Sequence, residues 1–394
     1  MSSTIPTVGI HSANQISSRS ATVAMALLVS AVLGAQAQPV SGRIRHVAAR
    51  SFTLVVKGDG SVFGWGRDAD GQAARPPSPT GVIAAPVSID LPGKALQVAL
   101  GESTQYALLE DGSIVSWGTN DEVQLGNGPM GASGEPGTYP KPSVTPVPVT
   151  GLNGIIQIAA GWKHAVALRK DGTVWAWGRR DNGEIGDGAP VGLRPLRAIG
   201  PTRVPGLEGI TQIAVDGSHN LALRSDGRVL SWGSNRNGEL GSGTRVTGWT
   251  PLEVNGLDHV VAIAAGTGGA GAGSSGAVRE DGTVWMWGTN TSAQMGNGQG
   301  PMSPDDPGGR NLVPVPVKGI AGATRLSIGF GHVAALLDDG TLRIWGHDGW
   351  GQIGVGTSGF YQEKPMKVTG ISNVWAVYLG GPHSIAVRAD GTLW

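Results

Sequence analysis

Short runs of apolar and β-branched residues recur along the chain, and glycine-rich polar turns separate them. In the clearest copy, the run Ile155–Ala160 is followed closely by a second run, His164–Arg169. Asp171-Gly172 then forms a two-residue turn, since glycine accepts a positive φ that a Cβ would disfavour. A third run, Thr173–Trp177, leads into a polar loop, and the chain returns through Thr202–Pro205. The pattern predicts four short antiparallel strands in each copy.

The same frame occurs seven times, with Asp-Gly turns between 51 and 60 residues apart. The turns begin at Asp59, Asp111, Asp171, Asp226, Asp281, Asp339 and Asp390. Six residues later, except in the last copy, a Trp-Gly pair begins at Trp65, Trp117, Trp177, Trp232, Trp287 and Trp345. Thirteen residues after the turn Asp stand Gln72, Gln124, Glu184, Glu239, Gln294 and Gln352. Repeats of this length and strand content predict an all-β fold, a seven-bladed β-propeller of four-stranded antiparallel blades.

The two ends of the chain are predicted to share the last blade. Gln38–Gly42 resembles the returning strand of other copies, such as Val313–Val317, and is expected to supply the outer strand. Trp394, however, aligns with Trp175 and not with Trp177. We therefore expect a last blade that the N-terminal strand closes and that is truncated at the C terminus, with a longer chain as one explanation.

The connections predict one plain and one elaborated face. In a four-stranded meander, the first-to-second and third-to-fourth connections emerge on the same side. The Asp-Gly turns on the other side are short and uniform. The long-loop side has most of the length variation, in residues 127–142, 187–201, 267–273 and 297–311. Because binding residues concentrate on loops that a rigid scaffold positions, the long-loop side is the predicted binding face.

Composition narrows the possible functions. The 29 basic and 29 acidic side chains cancel, which argues against a nucleic-acid partner. The absence of cysteine excludes disulfides and thiolate chemistry. Within Met1–Ala37, Arg19 precedes the apolar run 21–33, and Ala35–Ala37 has the small-x-small form of a cleavage site. We predict an export signal over 1–37 and a propeller over 38–394, with no membrane span in the mature chain and an uncleaved anchor as the alternative.

The frame resembles the repeats of the regulator of chromosome condensation family over roughly Val40–Trp394. The matching features in the third copy are Gly161–His164, Leu168, Asp171-Gly172, Trp177-Gly178 and Glu184–Gly186. The resemblance implies a seven-bladed propeller. Its members include an exchange factor for a small GTPase, a plant UV-B photoreceptor and a secreted bacterial inhibitor of β-lactamases, and the last is nearest in setting. The photoreceptor mechanism would need several tryptophans equivalent to Trp162, and the other copies have none.

The remaining candidate chemistry favours structure over catalysis. His164, His219, His332 and His383 occupy one position in successive copies. Such residues are distributed around a ring, so we predict hydrogen bonds to backbone near each blade's inner edge and not a metal site. Gly266–Gly271 satisfies a dinucleotide fingerprint, but a strand and not a helix is predicted to follow it. No catalytic residue, metal site or cofactor is predicted.

The candidate partner-binding residues are aromatic and arginine side chains of the long-loop side, since these residue types dominate interface hot spots. They are Tyr139, Trp162, Arg179, Arg180, Arg236, Trp249, Trp350, Phe360 and Tyr361. The alternative is that each side chain packs its own loop onto the disc. Blades three to six contain most of them.

These patterns predict an exported, non-enzymatic propeller that binds another protein through its long-loop face, with periplasmic, secreted and cell-surface locations all open. One alternative, implied by the resemblance alone, is nucleotide exchange on a small GTPase. Another is a structural module of a larger cell-surface protein. The partner's identity and the oligomeric state are not predicted.

Overall fold

The computed structural model describes residues 43–128, 141–188, 198–267, 272–301, 310–356 and 359–394. Within these residues the chain forms strands, turns and loops, without a helix. They all belong to one unit, Pro39–Trp394.

The strands fall into four classes by their order within a copy. The first strands are β1 (Ile44–Ala49), β5 (Ala95–Leu100), β9 (Ile155–Ala160), β13 (Ile210–Asp216), β17 (Val260–Thr267), β21 (Ala323–Ile328) and β25 (Val374–Leu379). The second strands are β2 (Phe52–Lys57), β6 (Thr104–Leu109), β10 (His164–Arg169), β14 (His219–Arg224), β18 (Gly273–Arg279), β22 (His332–Leu337) and β26 (Ser384–Arg388). The third strands are β3 (Val62–Arg67), β7 (Ile114–Gly118), β11 (Val174–Arg179), β15 (Val229–Gly233), β19 (Val284–Thr289) and β23 (Leu342–His347). The fourth strands are β4 (Val82–Ile89), β8 (Ser143–Pro148), β12 (Ala198–Arg203), β16 (Gly248–Glu253), β20 (Arg310–Pro316) and β24 (Tyr361–Lys367).

Each blade is an antiparallel meander whose hairpin is fixed by the Asp-Gly turn. In blade three, Gly172 has φ 80°. The Asp171 carboxylate accepts hydrogen bonds from the Thr173 amide (3.1 Å) and hydroxyl (2.6 Å). The predicted first and second strands of this blade are confirmed residue for residue. The fourth begins earlier than predicted, at Ala198, because pairing with β11 starts opposite Arg179.

The prediction of seven four-stranded blades is wrong in number: the described residues form six four-stranded blades. The seventh copy is a two-stranded sheet, β25–β26, with one isolated bridge between Val387 and Leu393. This sheet nevertheless packs between blades six and one. The predicted closing strand Gln38–Gly42 lies outside the described residues.

The core is divided into clusters that each lie between two neighbouring sheets. Five of them centre on the tryptophan of a Trp-Gly pair, whose side chain is fully buried. These are Trp117, Trp177, Trp232, Trp287 and Trp345. Trp65 of blade one is only half-buried, at the seam with the two-stranded sheet. The wide indole thus fills the wedge between blades.

In blades one to five, the long-loop step that begins with Glu or Gln receives the next blade's tryptophan. The Trp232 indole donates to the backbone carbonyl of Glu184 at 3.0 Å, and the four other buried tryptophans bond the equivalent carbonyl. A Cβ at Gly186 would lie 2.8 Å from the indole, and this glycine has φ +73°. In blade one the position is Ala74, which adopts φ 56°. The motif therefore joins neighbouring blades.

The Glu or Gln side chain closes its own loop with a donor-acceptor pairing that differs between blades. In blade three, both Glu184 oxygens accept from Asn182, from its amide (2.7 Å) and its side chain (2.9 Å). In blade one, Gln72 accepts from the Asp70 amide and donates to the Asp70 carboxylate. An Asn–Glu pair and an Asp–Gln pair therefore fill the same role with the polarity reversed.

This reversal predicts the outcome of a swap. Glu184→Gln places an amide NH₂ against the Asn182 NH₂ and is expected to cost about 1–2 kcal/mol of unfolding free energy, because buried donors lose their acceptor. Adding Asn182→Asp recreates the blade-one pair and should recover most of the loss. Urea unfolding of the wild type, both single variants and the double variant measures the coupling. Additive losses in the double variant would contradict the pairing.

Candidate interaction face

One side of the propeller has a cavity of about 810 Å³ over blades three to six. Its lining consists of first-to-second and third-to-fourth connections and the strand ends next to them, including Trp162, Gly217, Arg236, Ser292 and Phe330. No Asp-Gly turn contributes to that lining. We call this side the long-loop face. The prediction that both connection types share one side is confirmed.

The opposite side joins blade to blade through its turns. The amide that begins each first strand donates to the glycine carbonyl of the preceding Asp-Gly turn, as Ile210 does to Gly172 at 3.3 Å. The same bond links Ile155 to Gly112 at 3.1 Å. These turns are therefore committed to holding neighbouring blades together. That leaves the long loops as the variable surface.

Backbone hydrogen bonds between neighbouring first-to-second loops form the floor of the cavity. The Trp162 amide donates to the Gly217 carbonyl at 2.8 Å, and the Trp162 carbonyl accepts from Glu102 at 2.9 Å. Gly331 likewise donates to Thr267 at 2.9 Å. Since these bonds tie blade two to three, three to four and five to six, the described part of the floor is preorganised.

An axial channel opens beside this floor and is lined by all seven first strands. Arg50 of blade one forms an ion pair with Asp216 of blade four across it. The Arg50 Nε also donates to the Leu100 carbonyl at 2.9 Å. Arg50 and Asp216 therefore connect blades that are not neighbours in the chain.

The long loop of blade four carries Arg236 and Arg245, both exposed at the cavity. The Arg245 Nε donates to the Arg236 carbonyl at 2.8 Å. The Asn235 side chain donates to the carbonyls of Thr244 and Val246, each at 3.0 Å. The loop is thus closed on itself and holds two guanidinium groups at the rim.

The two predicted arginines of blade three differ in their surroundings. Arg179 lines the cavity and approaches Asp181 at 3.7 Å and Glu184 at 3.9 Å. Its Nε is buried without a hydrogen-bond acceptor in the described chain. Arg180 is mostly buried and pairs with Asp187 of its own loop, with Nε to Oδ1 at 3.3 Å. That pairing favours loop packing for Arg180.

Blade six presents a group of aromatic rings next to the cavity, which we call the blade-six aromatic patch: His347, Trp350, Phe360 and Tyr361. The His347 ring lies 4.7 Å from the Trp350 ring and 5.5 Å from the Tyr361 ring. Phe360 is 73% exposed, Trp350 41% and Tyr361 37%. His347 Nδ1 accepts from Gln352 at 2.7 Å, and burial lowers the pKa of His347. The His347 ring therefore supports Trp350 and Tyr361, and Phe360 packs on Tyr361 at 6.5 Å.

The structure brings four of the nine predicted residues to one cavity: Trp162, Arg179, Arg236 and Tyr361. Trp350 and Phe360 lie beside it in the aromatic patch. Trp249 is half-buried at the start of β16 and outside the cavity, and its carbonyl accepts from Gly188 at 2.8 Å. Tyr139 lies outside the described residues. Whether any of them binds a partner stays a prediction.

The lining residues that were not predicted include Arg245, Phe330 and His347. Phe330 occupies the position of Trp162 in blade six, so the aligned repeats contained a signal for it. Arg245 and His347 depend on how their loops fold over the disc. The alignment of the repeats does not indicate Arg245 or His347 in this way.

His164, His219 and His332 link neighbouring blades through side-chain partners, which the prediction of backbone hydrogen bonds did not include. His164 Nε2 lies 2.8 Å from Asn220 Oδ1, and His219 Nε2 lies 3.0 Å from Ser275 Oγ. Burial lowers the pKa of both histidines, and it lowers that of His332 to about 3. In the part of the chain that the structure describes, no group of three or more His, Asp or Glu could hold a metal ion. The glycine-rich stretch at Gly266 continues into strand β18, and residues 268–271 lie outside the described residues.

The repeat and its tryptophan-linked blades define a propeller of a specific type. The pattern of the regulator of chromosome condensation (RCC1) repeat matches residues 111–168, 171–223, 226–272 and 281–336. A second form of it matches 155–184 and 210–239. These matches cover more than half of the chain, which therefore belongs to the regulator of chromosome condensation repeat family.

Known relatives share the fold but differ in size. The E3 ubiquitin-protein ligase HERC2 of Homo sapiens is 27% identical over 363 residues, covering 87% of this chain and 7% of that protein. The ultraviolet-B receptor UVR8 of Arabidopsis thaliana is 29% identical over 357 residues, covering 86% and 73%. The crystal structure of Prp20p from Saccharomyces cerevisiae superimposes with a TM-score of 0.71 at 23% identity, covering 86% of this chain and 81% of that one. The last likeness concerns the fold alone, and this chain spans only a small part of HERC2.

Among the described residues, no helix is long and apolar enough to cross a membrane.

Proposed function

We propose that this protein is an exported, non-enzymatic propeller that binds another protein through its long-loop face. The observation that carries the proposal is the blade-six aromatic patch at the edge of the cavity. Three of its rings keep 37% to 73% of their surface exposed. Large exposed aromatic side chains cost free energy in water and are the residue types that dominate interface hot spots.

The rigidity of the face supports the same proposal. The floor loops are tied together by backbone hydrogen bonds, and Asn235 closes the blade-four loop. A surface that is already ordered loses little conformational entropy when a partner binds. The long-loop face therefore suits a preformed interface.

Export and the lack of catalysis rest on sequence alone. The segment 1–37 has the charge, apolar run and small residues of an export signal. No nucleophile with an adjacent base, and no convergent acid-base pair, stands out in the sequence. Both statements are part of the proposal.

Nucleotide exchange on a small GTPase is the rival function. Prp20p is described as binding Gsp1p and histones. Because the folds are alike, exchange activity is a second candidate function for this chain. An exchange factor would have to meet its GTPase in the cytoplasm or nucleus. It would also bind the nucleotide-free GTPase more tightly than the nucleotide-bound form.

Affinity capture with matched baits tests the proposal. The wild-type chain should retain a specific protein from an envelope or secreted fraction. The bait Trp350→Ala/Phe360→Ala should lose it by about tenfold or more, because hot-spot truncation typically costs over 1 kcal/mol per residue. The same tagged chain should be exported from its cells, and should stay inside when residues 2–37 are deleted.

The control bait carries Ile156→Ala/Val261→Ala, which removes two exposed apolar side chains, 52% and 51% exposed. Both lie next to first-strand amides that bond the Asp-Gly turns, on the other side of the disc. Loss of the partner by this bait and not by the aromatic variant would contradict the proposal. Capture of a GTPase only in its nucleotide-free state would favour the rival.

A further inference from the structure

The blade-four loop holds two guanidinium groups that have no carboxylate partner among the described residues. Arg236 and Arg245 are both exposed, and neither lies within 4.0 Å of a described Asp or Glu oxygen. On the other side of the same blade, Arg224 and Arg228 pair with Asp226, and Arg228 also pairs with Glu253 at 2.7 Å. Uncompensated positive charge in this blade is therefore confined to the long-loop face.

The carboxylate inside the cavity does not neutralise these arginines. Glu239 is only 3% exposed. Its oxygens accept from the amide and side chain of Asn237, each at 2.8 Å, and from the Gly273 amide at 3.3 Å. Arg179 of the neighbouring blade also lines the cavity, where Asp181 and Glu184 compensate it, so the unpaired charge is that of Arg236 and Arg245 against this one buried acid. The cavity is thus electropositive, and its complement is an anion.

The geometry is fixed before any ligand binds. Arg245 is held by its bond to the Arg236 carbonyl, and Asn235 fastens the loop from inside. Guanidinium groups pair with carboxylates through two parallel hydrogen bonds. Less conformational entropy is lost in forming that pair when the donors are already held in place.

Aromatic rings share the same cavity. Trp162, Phe330 and Tyr361 line it together with the arginines. A methyl group added at Gly217 would sit 2.9 Å from the Thr267 methyl group and 3.9 Å from the Trp162 ring, so that the indole lies beside the Gly217 backbone. A volume of about 810 Å³ is large for a single small ion and in the range of sites that enclose a larger ligand. The ligand should therefore have apolar groups as well as negative charge.

We propose that this cavity binds an acidic peptide segment of the partner protein, with its carboxylates on Arg236 and Arg245 and a neighbouring aromatic or aliphatic side chain against Trp162 and Phe330. The inference rests on the proposed protein-binding function and adds the chemistry of the segment that is recognised. Charge complementarity selects this occupant over a neutral peptide.

Fluorescence anisotropy with a designed peptide tests it. The probe is a fluorescein-labelled peptide of about a dozen residues that alternates Glu and Asp with Phe, and the matched probe replaces the acids with Gln and Asn. The acidic peptide should bind the wild-type chain more tightly than the neutral one and weaken as salt rises. Arg236→Ala/Arg245→Ala should weaken it roughly tenfold or more.

Arg224→Ala/Arg228→Ala is the matched control, since it removes the same two positive charges from the opposite side of the same blade, and it should leave the affinity unchanged. The proposal is overturned if the double variant binds the acidic peptide as the wild type does, or if neither peptide binds. It is also overturned if inorganic phosphate, at matched ionic strength, displaces the peptide as a general anion would. A partner lost by Trp350→Ala/Phe360→Ala but retained by Arg236→Ala/Arg245→Ala would overturn this inference and leave the proposed function standing.

Discussion

Replacing Trp232 with alanine is expected to lower the free energy of unfolding by about 3–5 kcal/mol, the range for truncating a large buried aromatic side chain. The indole is fully buried in the cluster between blades three and four and bonds the Glu184 carbonyl. That carbonyl also accepts from the Asn220 side chain at 3.0 Å, so it is not stranded. Most of the loss should therefore come from the cavity between blades. Urea unfolding followed by tryptophan fluorescence measures it.

Trp65→Ala is the matched control for the seam. Trp65 has the same position in blade one, but it is half-buried and its indole donates no hydrogen bond within the described chain. We expect a loss of about 1–2 kcal/mol, closer to that of an average substitution. If Trp65→Ala and Trp232→Ala lost the same free energy of unfolding, the difference in burial between the two tryptophans would not explain their contributions to stability.

Acidification from pH 7 to pH 5 is expected to destabilise the fold through its buried histidines. Burial lowers the folded-state pKa of His164, His219 and His332, while the unfolded value stays near 6.5. Below pH 6.5 the unfolded chain takes up protons that the folded chain refuses, so stability falls with pH until the folded pKa is reached, about 3 for His332. Each such histidine contributes a slope of about 1.4 kcal/mol per pH unit. Urea midpoints at pH 7, 6 and 5 measure the combined slope.

His332→Gln should reduce that slope by about 1.4 kcal/mol per pH unit, the contribution of one proton, because glutamine does not titrate. The aspartates of the hairpin turns do not obscure this window. Their pKa values are lowered by hydrogen bonds from Ser or Thr, as in Asp171 and Asp281, so their contribution is lost only below about pH 4. A slope that His332→Gln leaves unchanged, or stability that rises on acidification, would contradict the assignment.

Much of the fold could be predicted because one unit is repeated. The Asp-Gly turn, the Trp-Gly pair and the Glu/Gln-x-Gly step occur in nearly every copy, and each has a local physical reason. The number of four-stranded blades is six and not seven, and the copy that differs is the last one, which was expected to be truncated. The seventh copy has only β25 and β26 in its sheet, although its turn is intact.

The site could be predicted only in part. Residues at fixed positions of the repeat, such as Trp162 and Phe330, follow from alignment of the copies. Residues in long loops do not, because their direction depends on hydrogen bonds such as those of Asn235 in blade four. Arg180 is the instructive case: it replaces the loop-closing Asn or Asp of other blades and turns to Asp187 of its own loop.

Site-specific photo-crosslinking shows directly which side of the propeller contacts the partner. A photoreactive phenylalanine analogue is placed at Phe360 on the long-loop face or at Arg228 on the opposite side. If the long-loop face is the interface, the captured protein will be crosslinked from Phe360 and not from Arg228. Crosslinking from Arg228 alone would place the interface on the Asp-Gly turns and contradict the account.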